Sequence, residues 1–168
     1  MHAAKQNTGF TLLELIVVLS IIMIMTAVVV PMYSGSVSWA RKDRATRDVL
    51  ARMKYAQERA ITDVAEYRFY LNRDTGAFWL MREAETAEDG KKTFLEVDDA
   101  GATRGVLPRE MEFEKPKAAM DRDRDAYFVA FYPGGACDYA TVIIALDKRT
   151  STKISTKGRL GQLEVETE

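Results

Sequence analysis

One cysteine, Cys137, and one histidine, His2, are all that the 168-residue chain carries of either type. An internal disulfide is therefore excluded, and no Cys/His set is available for a structural zinc site. Without a partner histidine Cys137 cannot act as the nucleophile of a Cys/His dyad, and a small buried thiol beside a turn is its expected state. Charge of one sign is also lacking: 24 Lys+Arg stand against 25 Asp+Glu, a formal net charge of −1. That balance gives no general attraction for nucleic acid or an acidic substrate. Internal repeats and low-complexity segments are absent. Asp121, Asp123 and Asp125 open with the spacing of a calcium loop, yet Ala126 stands where the loop glycine belongs and Tyr132 where the bidentate glutamate belongs. Arg122 and Arg124 neutralise the cluster further, so a solvated loop is expected there. No catalytic residue, cofactor site or metal site is expected anywhere.

What the chain does have is a long apolar run. From Phe10 to Val30 every residue except Glu14 is apolar or small and uncharged. About 20 such residues suffice for a helix to cross roughly 30 Å of hydrocarbon. An ionised carboxylate in such a segment costs free energy unless something offsets it, so Glu14 is expected to have a partner and a function. The preceding residues, MHAAKQNTG, carry one positive charge at Lys5 and could pass for the start of a secretory signal. The apolar run is too long for that, and no small-residue cleavage site follows it.

A lone glycine at the polar/apolar boundary is the more informative feature. Gly9, Phe10, Thr11, Leu12, Leu13, Glu14 and Leu15 resemble the prepilin signature of type IV pilins and type II secretion pseudopilins. The resemblance implies that a membrane prepilin peptidase cuts between Gly9 and Phe10 and methylates the new amine on Phe10. Glu14 then becomes the fifth residue of the mature chain. Pro31 becomes the twenty-second, where this family commonly has a proline that bends the helix. Four residues at 1.5 Å each place the Phe10 amine about 6 Å along a helix from the Glu14 Cα, so the two charges can offset one another. The resemblance implies that in a filament Glu14 pairs with Phe10 of a neighbouring subunit, making burial of both charges conditional on assembly. The alternative is that Glu14 is a helix-start residue favoured by the helix dipole.

Between Ser34 and Lys54 lie six basic residues, Arg41, Lys42, Arg44, Arg47, Arg52 and Lys54, against two acidic ones, Asp43 and Asp48. Charge alone would keep this segment in the cytoplasm, but long domains translocate largely regardless of charge. The family's peptidase acts on the cytoplasmic face, which implies a cytoplasmic leader and an external domain. Helical patterning continues to about Thr62. Ala45, Val49, Met53, Ala56 and Ala60 form one apolar stripe. Arg41, Arg44, Arg52 and Arg59 line an adjacent face, read as solvated, subunit-facing or in contact with phospholipid headgroups.

Short strands follow. Tyr67, Phe69 and Leu71 alternate with Arg68, Tyr70 and Asn72, and "RDTG" turns the chain into "AFWLM", which reads as a hairpin. Glu83 to Lys92 and Met120 to Asp125 read as loops around weaker strands at Thr93 to Val97 and Val106 to Glu114. "AYFVAFYPGGACDYATVIIALD" reads as two apolar strands joined as a hairpin through Pro133, Gly134 and Gly135. Smaller strands are expected at Lys153 to Ser155 and Gln162 to Glu166.

The segment "LARMKYAQERAITD", the strand pair above and the closing "KGRLG" resemble most the H-type minor pseudopilins of type II secretion and related minor pilins. In the DNA-binding members a Gly-Arg-x-Arg motif contributes to DNA contact. Here Gly158, Arg159, Leu160, Gly161 lacks the second arginine, so nucleic acid is not expected as a partner. The expected fold is α+β and pilin-like: leader 1–9, transmembrane and assembly helix 10–30, the periplasmic half of that helix at 31–62, and a β-rich periplasmic domain at 63–168. The resemblance implies a non-enzymatic minor pseudopilin in the inner membrane, at or near the tip of a periplasmic pseudopilus. Its partners would be other pseudopilins, the prepilin peptidase/N-methyltransferase and inner-membrane lipid. The alternative is a minor pilin of a type IV pilus, with a possible DNA-uptake role.

Overall fold

The computed structural model describes residues 10–86, 90, 92–147, 150–158 and 161–167, with the side chains of 28–39, 85–86 and 146–147 outside the description. Gly9, Arg159 and Leu160 lie outside the described residues. The chain divides into two compact units, Met1–Ala40 and Arg41–Glu168. Helix α1, Leu12–Thr62, contributes to both.

In the second unit the helix stripe works as its spacing predicts. Ala45, Val49, Met53, Ala56 and Ala60 are all buried, in one core with Phe69, Leu71 and Leu80 from one sheet and Val142, Ile144 and Ile154 from the other. Small residues at three of these five helix positions let the backbone approach the sheets closely, while Val49 and Met53 fill the volume between them. The helix ends in a Schellman arrangement, with the Ala65 N–H donating to the Ala60 carbonyl at 3.3 Å. Val64 supplies the left-handed residue, φ 51°, a position that usually takes glycine.

Among the described residues ten strands follow: β1 Tyr67–Leu71, β2 Ala77–Thr86, β3 Lys92–Glu96, β4 Gly105–Val106, β5 Glu112–Lys117, β6 Ala119–Asp121, β7 Ala126–Phe131, β8 Ala140–Asp147, β9 Thr150–Lys157 and β10 Gln162–Thr167. They make two antiparallel sheets, one ordered β3-β2-β1-β7-β6 with β4 on β2, the other ordered β10-β9-β8-β5. The fold is therefore α+β, a long N-terminal helix with antiparallel sheets. The β1–β2 hairpin forms in the expected place, pairing Tyr67 with Arg82 through Leu71 with Phe78.

Several local readings need correction. β7 and β8 are not hairpin partners. Their connection does make a tight turn, Gly135 N–H to the Tyr132 carbonyl at 2.9 Å, but only an isolated bridge, Phe131 with Cys137, follows it. β7 then pairs with β1 and β6, and β8 with β5 and β9, so the turn carries the chain from one sheet to the other. The polar stretch from Glu83 is strand as far as Thr86, because β3 offers it a ladder across a bulge at Glu83/Glu85. Met120 and Asp121 likewise pair with β7 instead of lying in a loop. The strand read at Val106 to Glu114 is split by a turn in which the Met111 N–H donates to the Pro108 carbonyl.

Tyr70 is the clearest departure from simple alternation. It sits on the face of β1 opposite Phe69 yet is fully buried, because that face carries a second apolar layer of Tyr70, Trp79, Met81 and Phe94. Tyr70 stacks on Trp79 at 5.5 Å. Arg68 lies 3.7 Å from the Phe94 ring centroid and 4.5 Å from that of Phe128, and Arg104 lies 4.3 Å from that of Trp79. Guanidinium planes can cover aromatic faces while keeping their N–H edges for carboxylates, and here Arg68 donates to Glu66 at 2.7 Å.

Candidate functional site

The N-terminal segment is built around a helix start. Helix α1 opens at Leu12, and Thr11 caps it: the Thr11 Oγ1 accepts the Glu14 N–H at 3.2 Å, and the Thr11 carbonyl accepts the Leu15 N–H at 3.2 Å. Glu14 is thereby held in the first turn, beside the N–H groups a helix leaves without intrahelical partners. The structure brings Thr11 and Glu14 together, a pairing that the reading of the sequence missed although Thr-x-x-Glu is the spacing of a capping box. Among the described residues no ion pair involves Glu14. Phe10 is 81 % exposed.

From Leu12 to Met25 the large apolar side chains are exposed, on every side of the helix. Ser20 in this stretch and Thr26 just past it are satisfied internally: Ser20 donates to the Ile16 carbonyl at 2.8 Å and Thr26 to the Ile22 carbonyl at 2.7 Å. Such bonds to the preceding turn let a hydroxyl sit in an apolar environment without an orphaned donor. Among the described residues no helix is long and apolar enough to cross a membrane. Pro31 lies within α1.

The row of arginines divides in two. Arg41 and Arg44 are exposed. Arg52 donates to the Thr103 carbonyl at 2.8 Å and lies 4.9 Å from the Phe78 ring centroid, while Arg59 pairs with Asp63 at 3.1 Å. Arg52 thus ties α1 to the segment around Thr103 and to β2, and Arg59 closes the end of the helix on itself, a division that the spacing of four basic residues does not reveal.

The closing "KGRLG" is a structural turn where it is described. Gly158 and Gly161 have φ of 38° and 58°, and the Gly161 N–H donates to the Gly158 carbonyl at 3.0 Å, which also accepts the Cys137 N–H at 3.0 Å. The Gln57 side-chain amide of α1 donates to the Gly161 carbonyl at 2.8 Å. Cys137 is buried, and burial pushes its thiol pKa up, which makes it less nucleophilic. Asp121 is occupied by the fold: it accepts from the Tyr70 hydroxyl at 2.9 Å and from Arg124 at 3.2 Å. Desolvation opposes its ionisation, but these bonds outweigh it and hold the carboxyl below its ordinary range. Among the described residues no group of three or more His, Cys, Asp or Glu is placed to hold a metal.

Residues 4–30 match the prokaryotic N-terminal methylation motif. No curated protein matches the chain. Two solved structures of the minor pseudopilin EpsH from the type II secretion system of Vibrio cholerae share its fold. One is 12 % identical and covers 74 % of this chain and 94 % of its own, with a TM-score of 0.54. The other is 13 % identical and covers 76 % and 91 %, with a TM-score of 0.50. The chain thus has a type IV pilin-like fold behind a prepilin methylation motif. Within that class its fold is like that of the H-type minor pseudopilin EpsH.

Proposed function

We propose that the chain is a minor pseudopilin of a type II secretion system. One coincidence carries the reading: a methylation motif at residues 4–30 overlaps the start of α1, whose large apolar side chains from Leu12 to Met25 are exposed, ahead of a domain with a minor-pseudopilin fold. Prepilin peptidase cleaves between Gly9 and Phe10 and methylates Phe10. Residues 10–30 anchor the protein in the inner membrane, Pro31 bends the helix, and the domain stands in the periplasm. The subunit then joins other pseudopilins at or near the tip of the pseudopilus. Mass spectrometry of the membrane-extracted protein tests the processing step: the expected chain starts at a methylated Phe10, and a retained Met1 sinks the reading.

Assembly rests on Glu14, for which the Thr11 cap supplies a second role. As a helix-start residue alone, Glu14 contributes about 0.3–1 kcal/mol through the dipole. As the partner of a neighbour's Phe10 ammonium it contributes far more, since breaking a buried pair typically costs about 3–5 kcal/mol. Glu14→Leu is expected to be inserted and cleaved normally but to be incorporated about a hundredfold less or worse, at about 1.4 kcal/mol per factor of ten. Crosslinking to the other pseudopilins reads this directly. Wild-type crosslink yield together with normal processing would leave Glu14 only its helix-start role.

A further inference from the structure

Among the described residues strand β10 forms one edge of its sheet, paired with β9 on one side only. Half the backbone N–H and C=O groups of an edge strand point away from its partner and can template a further strand. The other sheet edges carry devices that discourage this. β5 contains Pro116 and a register shift against β8, β6 and β4 are three and two residues long, and β3 pairs with β2 across a bulge. By contrast β10 runs six residues in unbroken register with β9, without proline.

Its side chains specify what could be added. On one face Val165 pairs with Ile154, which is fully buried, while Val165 itself remains 43 % exposed. The apolar layer of the sheet thus reaches its last strand and stops half covered. On the other face Lys157 on β9 pairs with Glu164 at 2.6 Å and Lys153 with Glu166 at 2.7 Å. Lys on β9 followed by Glu on β10 makes a basic residue the complementary next rung, since opposite charges across a strand pair are favourable and like charges are not. Self-pairing of two β10 strands in antiparallel register with Glu164 opposite Glu164 opposes like charges, which argues against a second copy of this chain.

We infer that the free edge of β10 is a β-augmentation site for an extended segment of a different polypeptide, one that alternates apolar residues over Val165 with Lys or Arg beside Glu164 and Glu166. Main-chain hydrogen bonds supply affinity in this mode and the alternating side chains supply specificity. The inference goes beyond the secretion reading and does not depend on it.

The test uses the full chain in detergent micelles and the synthetic peptide Thr-Lys-Val-Lys-Val-Lys-Thr, capped at both ends. Controls are the same peptide with Glu for Lys and a scrambled sequence of equal composition. Hydrogen exchange read by mass spectrometry is expected to give protection on peptide addition at 162–167 and none at the β5 edge. Protection elsewhere, or none at saturating peptide, overturns the inference. Fluorescence anisotropy then reads the charge rule. The doubly reversed variant Glu164→Lys with Glu166→Lys is expected to lose about tenfold in affinity for the Lys peptide and to gain for the Glu peptide. Since that variant also faces Lys153 and Lys157 with like charge, Val165→Thr, which keeps strand propensity, serves as the second variant and is expected to weaken binding while leaving the circular dichroism spectrum unchanged. Equal binding of the scrambled peptide, or no change in either variant, refutes the site.

Discussion

Gly161→Ala tests how the end of the chain is locked to the helix. Gly161 has φ 58°, and a Cβ built there would collide with the Gln57 side-chain nitrogen and with the Gly135 carbonyl oxygen. A left-handed conformation costs an alanine about 1–2 kcal/mol. The collision adds to this, because Gln57 must leave the 2.8 Å bond to the Gly161 carbonyl, and losing a partner for a partly buried amide costs about 1–3 kcal/mol. The expected loss is about 2–5 kcal/mol, a large part of the roughly 5–15 kcal/mol that stabilises an ordinary domain.

Two comparators isolate the cause. At Gly135, also at positive φ (79°), an added Cβ meets only the Ile61 Cδ1 at an ordinary 3.6 Å, so Gly135→Ala is expected to cost only the backbone term, about 1–2 kcal/mol. Gln57→Ala removes both the colliding nitrogen and its hydrogen bond, so its cost is expected to be smaller in the Gly161→Ala background than in the wild type. Urea titration followed by tryptophan fluorescence measures the wild type, the three single variants and the double variant. Equal losses for Gly161→Ala and Gly135→Ala, or strict additivity of Gln57→Ala with Gly161→Ala, refutes the lock.

At the other end of the helix, Val64→Gly is expected to raise stability by about 0.5–1 kcal/mol, because relief of a left-handed β-branched residue exceeds the chain entropy that glycine adds; a lower urea midpoint contradicts this. The Tyr55–Asp99 bond, 2.6 Å long, predicts a pH profile with two limbs. The Tyr55 hydroxyl and the Gly101 N–H hold Asp99 below its ordinary 3.8, so its contribution to stability is present above that value and is lost as pH falls through the lowered one. The same bond and then burial push Tyr55 from 10.0 up to about 12, so its contribution is present below pH 10 and is lost as pH rises towards about 12. Tyr55→Phe is expected to reduce the acid limb, which Asp121 shares, and the alkaline one, which Tyr132 shares; melting temperatures unchanged in their pH dependence rule the bond out as the cause.

How much of this was legible in the sequence depends on the range of the force involved. The α1 stripe and the β1–β2 hairpin were readable because a 3.6-residue period and a four-residue turn are local signals. The partners of β7 and β8 were not. Pro133, Gly134 and Gly135 encode a reversal of direction, but which sheet each strand joins is decided by partners far away in sequence, β1 for one and β5 for the other. Polar composition hid strand as well. Thr and Ser carry β9 from Thr150 to Lys157, well beyond the expected Lys153 to Ser155, since β-branched threonine suits a pleated surface without adding to an apolar pattern. Tyr70 was misread for a different reason: its burial comes from Trp79 and Phe128, which alternation along one strand cannot register. At the N-terminus the methylation motif was legible in the run from Gly9 to Leu15, while the Thr11 cap went unnoticed.

The cap and the proposed interchain pair are compatible, and together they give Glu14 a consistent energetic role before and after assembly. Thr11 engages the Glu14 N–H and leaves the carboxylate free to reach another group. Before assembly the exposed carboxylate sits near the positive end of the helix dipole, where a negative charge is favoured by up to about 1 kcal/mol. That is too little to offset deep burial of an ion, which costs several kcal/mol without a partner. An isolated subunit therefore favours Glu14 at the edge of the apolar layer, while a neighbour's Phe10 amine supplies the one condition under which it is stable deeper in. Under the proposed pairing, a chain whose leader is uncleaved offers no amine at Phe10, so the carboxylate that would anchor a processed subunit would disfavour an unprocessed neighbour.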